Sequence, residues 1–166
     1  HWYRLRPWSG PSQDEVVQRI LDQVITLILA EGEPKAGVLE ALDLIEAQGL
    51  KIGLATSSPF AMVDAVLGKL GIQDRFMAVH SAEVERFGKP HPDVYIHAAE
   101  KLGVDPVHCL AIEDSFTGLL AAKAASMTAL IVPDPALVGD PRLAIANHEL
   151  RSLAELDAEM LASWVG

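Results

Sequence analysis

A short apolar run that ends in two carboxylates constrains the fold of this chain more than any other stretch. Residues 109–112 are apolar and lead directly into Glu113, Asp114 and Ser115. Because the run is short, bounded and not alternating, it predicts a strand buried on both faces, and the Ala- and Leu-rich segment 116–125 predicts a helix. The carboxylates then lie at the carboxyl end of a strand, the edge at which open α/β sheets bind ligands. A helix cap formed by Asp114 or Ser115 is the alternative interpretation.

Segments with strand and helix patterns alternate along the rest of the chain. Strands are predicted at 51–55, 76–80, 109–113 and 128–132, and helices at 13–31, 36–48, 59–70, 93–102, 115–125 and after Ser152. Ser12 with Glu15, and Ser152 with Glu155, have the spacing of a helix-capping box. Short links between alternating strands and helices require right-handed crossovers and a parallel sheet. The predicted fold class is therefore α/β, with a doubly wound parallel sheet covered by helices on both faces.

Length, charge and cysteine content narrow the class of protein. The 166 residues suffice for one domain with a sizeable core, since 50% of them are hydrophobic. The net charge of −10 argues against a nucleic-acid partner, whose phosphates would be repelled. No apolar run approaches the roughly 18 residues of a membrane span, so no membrane partner is predicted. Cys109 is the single cysteine, which excludes an internal disulfide and points to the cytoplasm.

Hydroxyl groups and one lysine follow the first two predicted strands. The first predicted strand is followed by three hydroxyl residues, Thr56, Ser57 and Ser58, at the start of a predicted helix. Hydroxyls and backbone N–H groups at a helix start can form an anion site. An ordinary N-cap is the alternative interpretation. Lys89 lies between a glycine and a proline, a position suited to phosphate charge, with a solvated loop lysine as the alternative. Carboxyl ends of parallel strands share one edge, so these groups are expected beside the two carboxylates. Together they are the components of phosphoryl transfer.

Three segments resemble the motifs of a known family. Residues 55–58 (Ala-Thr-Ser-Ser), 88–93 (Gly-Lys-Pro-His-Pro-Asp) and 112–115 (Ile-Glu-Asp-Ser) resemble the second, third and fourth motifs of the haloacid-dehalogenase-like phosphatases. The resemblance covers about residues 10–160 and is closest to the cap-bearing phosphatases that act on small sugar phosphates. The Glu-Asp-Ser strand end resembles the Mg²⁺-dependent phosphatases of the family more than its metal-free dehalogenases.

The resemblance implies a domain division and a substrate. Residues 1–33 would be the C-terminal part of a helical cap, and residues 34–166 a Rossmann-like α/β core that lacks its first strand. The parent enzyme would be a monomer that hydrolyses hexose or hexitol phosphates with Mg²⁺, through an aspartyl-phosphate. Trp8, in the cap segment, would face the sugar or sugar alcohol.

The resemblance also assigns roles to individual site residues. Phosphate binding falls to Thr56, Ser57, Ser58 and Lys89. Thr56 would hydrogen-bond the transferring phosphoryl group and Lys89 would balance charge on the phosphate and on the nucleophile, so these two residues would be catalytic. Asp114 would bind Mg²⁺, and Glu113 would support it or bind the ion through water.

One motif of the family is absent from the sequence. The family's first motif, Asp-x-Asp at the end of the first strand, supplies the nucleophile and the general acid/base, and no aspartate here has a second one two residues on. In the family that strand is central, between the segments 51–55 and 109–113. We therefore expect an N-terminally truncated form, an unfilled slot between those strands, and no turnover by this chain alone. A sugar phosphomutase of the same family and a non-catalytic phosphate-binding module are the alternative functions.

Overall fold

Helices and short parallel strands alternate in the computed structural model, which describes residues 5–7 and 9–164. The strands are β1 (Gly53–Thr56), β2 (Ala78–Ser81), β3 (Leu110–Glu113), β4 (Thr128–Ile131) and β5 (His148–Glu149). The helices are α1 (Gln13–Glu31), α2 (Val38–Ala47), α3 (Phe60–Leu70), α4 (Asp93–Leu102), α5 (Phe116–Ala124) and α6 (Ala158–Trp164). Short 3₁₀ turns connect several of these elements. The α/β class and the parallel pairing predicted from the sequence are confirmed.

The strands of the described residues fall into two parallel sheets. In one sheet β1 pairs with β2, and this places Thr56 beside Ser81. In the other the order is β3–β4–β5, with Glu113 beside Ile131. No ladder joins β1 to β3 within residues 5–7 and 9–164. The two strands expected to flank a slot are accordingly not paired with each other.

Helix α4 joins the two sheets through its buried face. It packs against β1 and β2, while Val94, Tyr95 and Ala99 belong to the apolar core around β3, β4 and α5. A second apolar cluster packs α2 and α3 against β1, and its buried members are Leu42, Ile52, Val63, Leu67 and Ile72. Burial of a large apolar side chain contributes about 1.5–3 kcal/mol. The packing of α4 therefore holds the ends of β1 and β3 in one region of the molecule.

Helix α1 begins at the predicted capping box. Ser12 Oγ accepts from the Glu15 N–H (3.2 Å), and the Glu15 carboxylate accepts from the Ser12 N–H (2.7 Å). None of its residues is buried, although it lies against α3, where Lys69 Nζ donates to Leu29 O at 2.8 Å.

No helix in the described part of the chain is long and apolar enough to cross a membrane. The division into cap remnant and core at residue 33 stays a prediction.

The last helix begins later than predicted. Ser152 caps a 3₁₀ turn at Leu153–Glu155, and the Glu155 carboxylate accepts from the Arg151 N–H (3.0 Å), so no capping box forms there. Asp157 accepts from the Met160 N–H at 2.8 Å, and α6 follows it. The helix predicted directly after Ser152 was wrong because a second cap, Asp157, is the one that opens the helix.

Strand β3 is less buried than predicted. It begins at Leu110, so that Cys109 lies before it, half-buried. Ala111 and Glu113 are buried, whereas Leu110 and Ile112 are only half-buried. The prediction of a strand buried on both faces was wrong, because Ile112 borders a cavity instead of a packed neighbour. The short strand β5 was missed because its residues are too few to show a periodicity.

Candidate active site

A cavity of about 820 Å³ opens at the carboxyl ends of β1 and β3. All the residues predicted to bind phosphate or metal line it, namely Thr56, Ser57, Ser58, Lys89, Glu113 and Asp114. Two further cations, Lys35 and Arg151, line it as well. The cavity thus has more cationic than anionic side chains, although the chain as a whole carries a net charge of −10. A local positive excess of this kind favours an anionic ligand.

The loop after β1 is held by hydrogen bonds to its own backbone and to β2. Thr56 Oγ1 accepts from the Ser58 N–H at 3.0 Å, and Ser81 Oγ donates to the Ser58 carbonyl at 2.6 Å. The Glu83 carboxylate accepts from the Phe60 N–H (2.7 Å), so a protein carboxylate already meets that N–H of the first turn of α3. The Thr56 hydroxyl accepts in this contact and can still donate a hydrogen bond, and the Ser57 side chain is exposed. These two hydroxyls, together with that of Ser58, are donors that the loop can offer to the cavity.

Lys89 is a half-buried residue that connects the two sheets. Its ammonium forms an ion pair with Glu113, and the two side chains are only 12% and 7% exposed. It also contacts the Ala55 carbonyl at 3.3 Å and lies 4.7 Å from the centre of the Tyr95 ring. The alternative of a solvated loop lysine is therefore wrong. Lys89 links the end of β1 to the end of β3 at the cavity wall.

The Glu113 carboxylate is surrounded by donors. Tyr95 Oη and Lys89 both donate to its Oε1, and Ser115 Oγ donates to its Oε2 at 3.1 Å. Gly118 leaves room for it, because a Cβ at that position would lie 2.0 Å from Glu113 Oε2. Burial, followed by the neighbouring negative charge of Glu113, raises the pKa of Tyr95, so its hydroxyl stays protonated and donates. The surroundings of Glu113 fix its position and compensate its charge.

Asp114 lies on the open side of the same turn. Its side chain is 52% exposed and pairs with Lys35, which precedes α2, at 2.8 Å. The Asp114 carbonyl accepts from the Asp134 N–H (3.0 Å), which ties the turn to the loop after β4. The carboxylate is therefore placed by its backbone and remains accessible from solvent.

The two predicted Mg²⁺ ligands have different surroundings. Mg²⁺ keeps several waters and is commonly held by one or two carboxylates together with substrate phosphate. The exposed carboxylate of Asp114 fits that requirement. Glu113 faces Lys89 and Tyr95, and shares none of the hydrogen-bond partners of the Asp114 side chain. This donor set suits Asp114 as a direct ligand and Glu113 as the partner of the lysine.

Sequence reasoning missed several residues of the site. Tyr95 follows the third predicted motif by two positions, and only its place on the buried face of a helix gave a signal. Lys35 and Arg151 come from segments without strand or helix periodicity, so no pattern indicated them. The predicted contact of Trp8 with a sugar lies outside the described residues.

The fold and the cavity define an α/β protein whose ligand site lies at the carboxyl edge of parallel strands. A family model described as haloacid dehalogenase-like hydrolase matches residues 4–126, and the chain belongs to that family. The resemblance stated from the three motifs is thereby confirmed.

Similar proteins include sugar-phosphate enzymes. Hexitol phosphatase B of Escherichia coli is 46% identical over 160 residues, which are 96% of this chain and 72% of that protein. Beta-phosphoglucomutase of Bacillus subtilis is 37% identical over 125 residues, 75% of this chain and 52% of that enzyme. Among solved structures, CbbY from Rhodobacter sphaeroides in complex with xylulose-(1,5)bisphosphate has a TM-score of 0.81 at 25% identity, over 93% of this chain and 71% of that one.

Proposed function

We propose that this chain forms the phosphate- and metal-binding part of a Mg²⁺-dependent phosphatase for hexose or hexitol phosphates. The observation that carries the proposal is the half-buried Lys89, which joins the end of β1 to the Glu113 carboxylate at the end of β3. The 46% identity to hexitol phosphatase B over most of the chain supports this substrate class. In this reaction an aspartate carboxylate would attack phosphorus while the bond to the sugar oxygen breaks and the sugar leaves as its alcohol. Water would then hydrolyse the aspartyl-phosphate to phosphate and the free carboxylate.

Phosphate oxygens would be bound by Thr56, Ser57, Ser58 and Lys89. The Lys89 ammonium contacts Glu113 closely, but its contacts with the Ala55 carbonyl (3.3 Å) and the Tyr95 hydroxyl (3.4 Å) are long. Such long contacts are weak, so a phosphate oxygen can replace one of them without breaking the ion pair. Lys89 would then stabilise charge on the transferring group while Glu113 holds its position.

Asp114 would hold Mg²⁺, with Glu113 orienting Lys89 beside it. When bound, the ion would neutralise phosphate charge and polarise the phosphoryl oxygens. The Asp114–Lys35 ion pair must open for this, which its exposure permits. Of the two carboxylates that line the described cavity, only Asp114 is not paired with Lys89. Mg²⁺ binding by these 166 residues alone should therefore be weak. Tight, saturable Mg²⁺ binding to this chain in a calorimetric titration would contradict that expectation.

The nucleophile would come from an added strand seated between β1 and β3. Glu113 and Asp114 are the carboxylates that line the cavity within residues 5–7 and 9–164, and both already have a role. Ser57 is a poor substitute, since no base is hydrogen-bonded to it in the described structure. A strand bearing Asp-x-Asp would fit between two strands that are not paired with each other.

The test compares this chain with a form that carries such a strand at its N-terminus. We expect Mg²⁺-dependent phosphate release from hexose or hexitol phosphates only when Asp-x-Asp is present, and none from a matched form with Asn-x-Asp. Lys89→Ala in the active form should lower turnover more than about tenfold, because a charged contact to the transferring group is lost. Mg²⁺-dependent release by the 166 residues alone would overturn the role of the added strand.

A phosphomutase is the second candidate, supported by the 37% identity to beta-phosphoglucomutase over three quarters of the chain. The two activities differ in what attacks the aspartyl-phosphate, either water or a second sugar hydroxyl. Phosphate released in step with substrate consumption indicates the phosphatase, whereas an isomeric sugar phosphate without free phosphate indicates the mutase. Phosphate binding by the strand-bearing form without either product would indicate a non-catalytic module.

A further inference from the structure

A cluster of two histidines and one glutamate lies between β2 and α4. His80 is in β2, Glu85 follows the 3₁₀ turn after that strand, and His97 is in α4. One donor atom from each side chain lies within 4.8 Å of the other two. None of the three residues lines the cavity that holds Lys89 and Asp114. The cluster is therefore separate from the proposed phosphate site.

The donor atoms already converge on a single carboxylate oxygen. Glu85 Oε1 meets His80 Nε2 in a close contact and His97 Nδ1 at 2.6 Å. The two imidazole rings stand almost perpendicular, at 80°, with their centres 5.5 Å apart. Two imidazole nitrogens and a carboxylate oxygen are a donor set that divalent transition metals use, and Zn²⁺ most commonly. An ion would take the place of the protons that these contacts now share.

The burial of the cluster gives a second reason to expect an ion. The side chains of His80 and Glu85 are only 6% and 7% exposed. His80 Nδ1 is buried without a hydrogen-bond partner in the described structure, so hydrogen bonding inside the cluster leaves one ring nitrogen unsatisfied. An ion would bind Nε2, the nitrogen that faces Glu85, and would not satisfy Nδ1. The reason to expect an ion is instead the buried Glu85 carboxylate, because buried charges in proteins are paired or coordinate metals.

The open side of the cluster provides access for the ion. The His97 side chain is 42% exposed, so an ion can enter from solvent and keep a water as its fourth ligand. Ligand atoms around Zn²⁺ lie farther apart than a hydrogen bond, because each bond to the metal is about 2.0–2.2 Å long. Binding therefore needs Glu85 to move away from the two rings, or to turn its second oxygen toward them.

We propose that His80, Glu85 and His97 form a Zn²⁺ site that fastens the loop after β2 to helix α4. Glu85 begins the segment that leads to Lys89, so the ion would connect the strand, the start of this loop and the helix that carries Tyr95. The site is structural, since it shares no residue with the cavity. Related divalent ions such as Co²⁺ and Ni²⁺ would bind to the same ligands.

The experiment measures metal binding directly, without a turnover assay. Untagged protein is treated with a chelator, dialysed against Zn²⁺ and analysed for bound metal, with Co²⁺ as a spectroscopic probe. We expect one Zn²⁺ per chain, visible Co²⁺ bands of a four-coordinate site, and a higher melting temperature with Zn²⁺. His97→Gln should weaken binding by at least about tenfold and remove the thermal effect, because a direct ligand is lost.

Two control variants separate this site from other sources of binding. His108→Gln removes an exposed histidine outside the cluster and should leave the affinity unchanged. Asp114→Asn removes the exposed carboxylate of the cavity and should also retain the bound Zn²⁺. The proposal is overturned if His97→Gln binds Zn²⁺ as the unaltered chain does, if Asp114→Asn abolishes binding, or if no stoichiometric metal is found.

Discussion

Replacing Lys89 with methionine tests whether the ion pair with Glu113 holds the site together. Methionine keeps much of the length and apolar volume of the lysine stem but carries no charge. The variant leaves the Glu113 carboxylate, whose side chain is 7% exposed, without its cation. Tyr95 and Ser115 still donate to it, so the carboxylate loses its charge compensation and keeps two hydrogen bonds.

The expected loss of stability follows from that residual hydrogen bonding. Breaking a buried ion pair from one side costs about 3–5 kcal/mol, and the two remaining donors place Lys89→Met near the lower end, at about 3 kcal/mol. For a domain of this size each kcal/mol lowers the melting temperature by about 2–4 °C, so a fall of about 6–12 °C is expected. Adding Glu113→Gln to the same chain removes the unpaired charge and should recover about 1–2 kcal/mol of the loss.

The assay is urea unfolding of the unaltered chain, both single variants and the double variant, at neutral pH. The coupling free energy between the two positions is taken from the double-mutant cycle. A cost below about 1 kcal/mol for Lys89→Met, or single effects that add within about 0.5 kcal/mol, would refute the argument that the pair is buried and mutually dependent.

Three further predictions concern other residues of the chain. Gly118→Ala in α5 should destabilise the protein, because its Cβ would lie 2.0 Å from the Glu113 carboxylate, whereas Gly68→Ala in α3 meets nothing closer than 3.8 Å and should stabilise it by about 0.5–1 kcal/mol in urea unfolding. Equal effects at the two glycines would contradict the contact with Glu113. Hydrogen bonds from Arg142 lower the pKa of Asp140 from its ordinary 3.8 to about 2. Since the folded-state pKa is depressed, this stabilisation is present above about pH 4 and is lost as the pH falls toward 2; an NMR titration should show the low value, and its rise in Arg142→Met. Ser12→Ala should cost about 1 kcal/mol by removing the cap of α1, and a melting temperature identical to that of the unaltered chain would contradict the role of the capping box.

The sequence predicted the elements of the fold because most of them combine a clear periodicity with a clear stop. Helix α1 has a capping box and a glycine at its end, and it runs between the expected residues. The final helix was placed too early because Ser152 and Asp157 are both good caps, and only the surrounding contacts decide between them. The division of the strands into two sheets depends on which strands meet, which local patterns do not contain.

The sequence predicted which residues meet at the candidate site, but not which of them contact each other. Motif spacing brought Lys89, Glu113 and Asp114 to one edge, yet it grouped the two carboxylates together. In the structure Glu113 contacts Lys89 and Tyr95, because the pleat of β3 points the Glu113 side chain toward the buried face of the strand. The cluster of His80, Glu85 and His97 had no signal in the sequence, since its members come from a strand, a loop and a helix at spacings that fit no common metal motif.

The two separate sheets have a consequence for the behaviour of this chain in concentrated solution. Strands β1 and β3 each have one edge without a β-partner in the described structure, and such edges are templates for intermolecular strand pairing. Association would therefore rise with protein concentration and would bury the segments that line the cavity. A peptide or fused segment that occupies this gap would act as a stabiliser against aggregation, and light scattering would detect its effect even when the segment has no catalytic residues.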